Sequence, residues 1–239
     1  MTGDPGVTHV DEPHSGAVSG RLNWLRAGVL GANEGIVSTA GLVVGVAGAT
    51  VATGPILTAG VAGVVAGAVS MALGEYVSVS SQRDTERSLL AKERWELDRF
   101  PERELEELTA LYTAKGLAPG TARTVAEELT ANDAFAAHAD IELRIDPDAL
   151  TSPGQAAGAS ALAFVTGSLL PLVAILLPPP TARVPVAFGV VLLALAVTGA
   201  VSARLGGSGI GRAVGRLVIG GAVAMAVTFG IGQLVGAAL

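Results

Sequence analysis

Five stretches of this chain are mostly apolar and about 20 residues long, the length an α-helix needs to cross a bilayer. They run roughly 25–47, 57–79, 157–177, 184–203 and 214–236 of the 239 residues. Composition points the same way. Half the residues are hydrophobic and 15% are charged, where a soluble domain is nearer a quarter charged. The 32 glycines suit helices that pack closely in lipid. Glycines recur at helix-packing spacing at Gly41/Gly45, at Gly60, Gly63 and Gly67, and at Gly230/Gly236. These predict close packing within the chain, with a dimer interface on span 1 or 2 as the sharper alternative. The polar stretch through Asn23 lacks a signal-peptide cleavage pattern, so none is expected.

A polar insert separates spans 2 and 3. Residues 81–150 hold sixteen acids and nine bases, a net charge of −7, against +1 for the rest. Such a local acidic excess disfavours nucleic acid and favours cations. The insert reads as three helices. No Gly or Pro interrupts Ser81 to Arg99, so span 2 is expected to run on into water as one rod. Pro101 opens a second helix, and Thr121 to Ile145 forms a third with Thr121 as its cap. The predicted fold is an all-α membrane protein of five transmembrane helices, with a three-helix acidic insert between helices 2 and 3. Its parts are a disordered tail (1–20), helices 1–2 (21–80), the insert (81–152) and helices 3–5 (153–239).

Orientation follows from the basic residues. Arg21 and Arg26 precede span 1, and Arg204, Arg212 and Arg216 lie between spans 4 and 5. The loop between spans 1 and 2 is uncharged, and the loop between spans 3 and 4 has only Arg183. The positive-inside rule then puts the N-terminus and the insert in the cytoplasm and the C-terminus outside.

Against this apolar background two carboxylates stand out. Glu34 follows Asn33 in the first span, and Glu75 follows Met71 by four residues in the second. A carboxylate at mid-membrane costs at least about 2.5 kcal/mol, which makes it a functional candidate by default. Glu34 lies roughly 12 Å and Met71 roughly 13 Å in from the same cytoplasmic side, at 1.5 Å per residue. Antiparallel neighbours would set them level. Carboxylate and amide oxygens suit hard or borderline divalent cations, and a thioether moves preference toward softer transition metals. The set therefore fits ferrous iron or manganese better than calcium or magnesium. Carboxylates of raised pKa in the membrane also offer a route for protons.

In the insert, Glu93/Glu96 and Glu104/Glu107 are i, i+3 pairs, and each pair faces one way on a helix. Facing pairs completed by Glu142 make a carboxylate cluster, with His138 and Asp140 as weaker candidates. A solvated charged face is the competing reading, because Lys92, Arg94, Arg99 and Arg103 are interspersed. An enzyme is not expected. Di-iron carboxylate oxidases need paired Glu-x-x-His motifs, and the chain has three histidines, with Phe135 three before His138. No phosphate loop, dinucleotide fingerprint or Ser/His/Asp arrangement is present. The absence of cysteine excludes thiolate metal sites.

Two long segments carry a resemblance. Arg26-Ala27-Gly28-Val29-Leu30-Gly31-Ala32-Asn33-Glu34-Gly35-Ile36-Val37-Ser38 and Ser70-Met71-Ala72-Leu73-Gly74-Glu75-Tyr76-Val77-Ser78-Val79-Ser80-Ser81-Gln82 resemble the vacuolar iron transporter family. Ala161-Leu162-Ala163-Phe164 through Leu170-Pro171-Leu172 is similar to the same family, and the likeness covers 21–236. It implies a homodimer with the ion path at the subunit interface, and proton-driven export of Fe²⁺ or Mn²⁺ from the cytosol. It carries the membrane carboxylate to Glu34, the span 2 methionine to Met71, and cytoplasmic ligands to Glu93, Glu96, Glu104, Glu107 and Glu142. A bacterial-type member is expected in the plasma membrane. Two departures bear on metal choice. Asp is usual where Glu34 stands, and no methionine lies on the third insert helix, so Zn²⁺ or Co²⁺ could also be accepted.

The expected function is export of a divalent transition metal by metal–proton antiport. Glu34, Met71, Glu75 and Asn33 would form the path, with no tightly bound cofactor. The partners would be divalent cations, protons, the lipid bilayer and a second copy of the chain, and not nucleic acid. The rival is a membrane-anchored metal sensor or buffer without transport.

Overall fold

The computed structural model describes residues 16–238, with side chains from Gly28 onward. Seven α-helices and one π-helical turn make up the fold, and no strand occurs among the described residues. The helices are α1 (Gly16–Ala49), α2 (Thr53–Arg99), α3 (Pro101–Ala114), α4 (Pro119–His138), α5 (Pro153–Leu176), α6 (Arg183–Leu205) and α7 (Ile210–Ala238). The π turn, Ala139–Leu143, continues α4. Five helices (α1, α2, α5, α6 and α7) are long and apolar enough to cross a membrane. This is a membrane protein, and each expected span falls on one helix. Residues 1–15 of the expected tail lie outside the described residues. α1 begins at Gly16, within the stretch expected as tail.

The chain divides into two compact units. One comprises α1, α2 as far as Glu75, and α5–α7. Its core joins Ile36, Val43 and Val44 of α1 to Ile56, Ile175, Val191, Leu195 and Met225. Between helices in lipid, close van der Waals packing rather than water exclusion does most of the work, so small residues mark the contacts. A Cβ on Gly35 would collide with the carbonyl oxygen of Phe164, and one on Gly167 with that of Ala32. Backbone therefore meets backbone where α1 crosses α5, and the Ser168 hydroxyl donates to the Gly35 carbonyl at 3.2 Å. On another side, Gly41 and Gly45 receive Thr228 of α7, and a Cβ on Gly232 would strike the Gly45 carbonyl. Gly60, Gly63 and Gly67 accommodate Leu172, Leu42 and Phe164. The glycine spacing thus serves packing within the chain at these positions, while Gly230 has nothing within 4 Å. At one end of this unit Arg183 is buried. Its guanidinium donates to the Val51 carbonyl at 2.9 Å, the Thr53 hydroxyl at 2.6 Å and the Pro178 carbonyl at 3.3 Å. It ties the two connecting loops together.

The second unit is Tyr76–Pro153. It takes the C-terminal half of α2, then α3, α4 and the π turn, around a small core of Leu108, Ala126 and Ile141. Gly116, at φ +103°, makes the turn between α3 and α4. Pro119 at the first turn, rather than Thr121, begins α4, since a proline there sacrifices no hydrogen bond. The expected third helix is not continuous. Asp133 leaves helical geometry (φ −160°, ψ 95°), and its carboxylate accepts the Ala136 amide at 2.9 Å. An aspartate in extended conformation that caps the next turn is an N-cap, so the helix stops and restarts within itself.

Gly35→Ala is expected to destabilise the apolar unit by roughly 1–3 kcal/mol through overpacking, because the obstacle is backbone. Gly28→Ala, on the same helix with nothing within 4 Å, should be neutral. Thermal melts of the two variants in detergent check this; equal melting temperatures would refute the backbone contact.

Candidate metal centres

Glu34 and Met71 share one cavity in the apolar unit. It has a volume of about 190 Å³ and is walled by α1, α2 and α5, with Ser38, Thr39, Gly67, Ser70 and Phe164 also lining it. The α1–α5 crossing fixes the helix face. Gly31 and Gly35 press against α5, which leaves Glu34 exposed on the cavity wall. One carboxylate, one thioether and several hydroxyls here form a donor set for a borderline divalent cation. Asn33 and Glu75 do not line this cavity. The Asn33 side-chain oxygen is buried without a hydrogen-bond partner, and Glu75, half-buried, closes the apolar unit on α2.

The polar unit holds a second constellation. Glu93 of α2 is 2% exposed, Glu104 of α3 7%, and His138 of α4 is fully buried. His138 Nδ1 stands 2.9 Å from Glu93 Oε1, 3.4 Å from Glu142 Oε2 and 4.0 Å from Glu104 Oε2. One ligand atom from each of Glu93, Glu104 and His138 lies within 4.8 Å of the others. The π turn widens the helix just after His138 and carries Glu142. Such turns are frequent at functional sites.

Hydrogen bonding alone does not explain this arrangement. Glu93 Oε1 is buried without a well-aligned donor, although Nδ1 is near, and His138 Nε2 is also buried without a partner. Three carboxylates around one imidazole nitrogen repel one another. The Glu93 carboxyl is pushed up to about 7, first by burial and then by the Glu142 charge, with His138 pulling the other way. Glu104 is also raised, first by burial and then by Glu107 and Glu96. A divalent cation would supply the missing positive charge, and the buried oxygens and nitrogen converge as its ligands would.

The predicted insert residues are not all equivalent. Glu93, Glu104 and Glu142 meet. Glu96 is half-buried and pairs with Lys92 at 2.8 Å, while Glu107 and Asp140 are exposed. Glu107 and Asp140 therefore turn outward, while Glu96, no more exposed than Glu142, stays at the edge of the cluster. His138, a weaker candidate in the sequence, sits closest to the centre. The available signal was its context: it lies in Phe135-Ala136-Ala137-His138-Ala139, a run too apolar for a solvated histidine.

The model of the VIT family matches residues 25–233. A vacuolar iron transporter of Acanthamoeba castellanii is 46% identical over 216 residues, covering 90% of this chain and 80% of that protein. Vacuolar iron transporter homolog 5 of Oryza sativa is 37% identical, covering 91% and 83%. Vacuolar iron transporter homolog 1 of Arabidopsis thaliana is 34% identical, covering 95% and 90%. With a match this long and relatives this similar across nearly its whole length, the chain belongs to the VIT family.

Proposed function

We propose that this protein exports a divalent transition metal, Fe²⁺ or Mn²⁺, from the cytosol. The observation that carries the reading is the shared cavity of Glu34 and Met71 among apolar helices. A sensor anchored by its spans has no use for a carboxylate there, given its desolvation cost. The buried cluster of Glu93, Glu104, Glu142 and His138 supports capture of the ion on the cytoplasmic side. Family membership and relatives named as vacuolar iron transporters add weight. Glu75 and Asn33 serve as auxiliary polar groups of the path, and Glu96 and Glu107 as outer acids that raise the local cation concentration. The polar unit faces the cytosol by the positive-inside argument, the working form is a homodimer, and the membrane is the plasma membrane. Movement of protons in the opposite direction drives the export, which makes it an antiport.

Purified protein in liposomes should take up Mn²⁺ and Fe²⁺, read by an internal fluorescent indicator. Glu34→Ala should abolish uptake while leaving metal binding by the polar unit unchanged. Binding without flux in the wild type would favour the sensor or buffer. An acidic lumen should accelerate uptake, and indifference to the pH gradient would exclude antiport.

The ligand assignment is tested by Mn²⁺ titration of the full chain, followed by electron paramagnetic resonance. His138→Ala should weaken the polar-unit site roughly ten-fold or more. Glu107→Gln should change it little, and equal losses in the two would contradict the outward placement of Glu107.

The pH dependence has a defined sign. Folded Glu93, raised to about 7 from an ordinary 4.5, binds more protons than the unfolded chain between these values. The metal-free protein thus loses stability as pH rises through that window. Protons also compete with the cation below about 7. Added Mn²⁺ should therefore raise the melting temperature more at pH 8 than at pH 6. An equal or reversed shift would remove Glu93 from the ligand set.

A further inference from the structure

We propose that the Thr39 hydroxyl is a further cation ligand of the intramembrane cavity, beside Glu34 and Met71. This rests on the transport reading and deepens it. Thr39 lines the same cavity as those two residues. It is 2% exposed, and its Oγ1 is buried with no hydrogen-bond partner.

That orphan hydroxyl is unlike others in the apolar helices. Ser38 donates to the Glu34 carbonyl at 2.6 Å, Thr166 to that of Leu162 at 2.7 Å, and Thr228 to that of Ala224 at 3.0 Å. Back-bonding to the preceding turn is how a hydroxyl satisfies itself in a helix. Thr39 forgoes it, and a buried polar group left without a partner is unfavourable. A passing divalent cation, or a water in its inner shell, meets that need with a hydroxyl oxygen as ligand.

Position and chemistry agree. Thr39 lies five residues after Glu34 on α1, about 7.5 Å of helical rise, so the two donors can serve successive positions of one ion. A neutral oxygen holds a cation less firmly than a carboxylate does. Conduction requires a site of this kind, favourable enough to enter and weak enough to leave.

The test uses the full chain in liposomes, with Mn²⁺ uptake measured for the wild type, Thr39→Val, Thr39→Ser and Glu34→Ala. Valine keeps the shape and removes the oxygen, while serine keeps the oxygen and removes the methyl. Thr39→Val should lower flux roughly ten-fold, the loss expected for one contact to a charged group. Thr39→Ser should retain most of the flux. The Thr39→Val melting temperature should match or exceed that of the wild type, because an unpaired buried hydroxyl has gone. Wild-type flux from Thr39→Val would overturn the proposal and leave the transport reading standing. Equal loss in the valine and serine variants would assign Thr39 to packing and overturn it too. Absence of flux in the wild type would overturn both readings.

Discussion

The backbone-to-backbone crossing of α1 and α5 is the constraint on which the apolar unit depends. Gly31, Gly35 and Gly167 bring the two main chains together without intervening side chains. That contact fixes the rotation of α1 about its axis, and rotation decides what Glu34 faces. On a loosely held helix a carboxylate could swing toward lipid or toward another polar group. Here the neighbouring turns are pinned, and Glu34 remains on the wall that also carries Met71 and Thr39. The glycines next to the acidic residue and the chemistry of the cavity are thus one design.

The polar unit solves a different problem with different means. Its core is small, and its sequence is strongly acidic. Two of its glutamates are nevertheless buried against a histidine. Burial of like charges is tolerable when something of opposite charge completes the set, as a divalent cation would. The two centres then differ in kind. One is rich in carboxylate oxygen and negative, suited to concentrate a scarce ion. The other has one carboxylate, a thioether and hydroxyls, a leaner set suited to passing the ion along.

Much of this was legible in the sequence, and for clear reasons. Twenty apolar residues have few options but a membrane helix, so all five spans could be read from composition. Glu34 and Met71 could be paired because helical rise converts residue number into depth. The spacing of Glu93, Glu96, Glu104 and Glu107 showed that acids lie on helix faces, but could not say which of them turn inward. That depends on what the helix packs against, and Leu108 and Ile141 supply the answer only in three dimensions. Asp133 falls inside the stretch expected as one helix, Thr121 to Ile145. Its role as a cap emerges from the backbone angles and the Ala136 amide it accepts. Thr39 gave no signal at all, since a threonine in an apolar helix ordinarily bonds to its own backbone.

The donors of the polar centre come from α2, α3, α4 and the π turn, and so from points far apart along the chain. An ion held by Glu93 and Glu142 would cross-link residues separated by 48 others along the chain. Closing so long a loop carries an entropic cost, and binding that favours the closed form offsets it by mass action. Capture of cargo and ordering of the segment would then be a single equilibrium. Amide exchange and protease lifetime in this part of the protein would rise and fall with free metal, so that the filled and empty carriers differ in how tightly they are knotted as well as in what they hold.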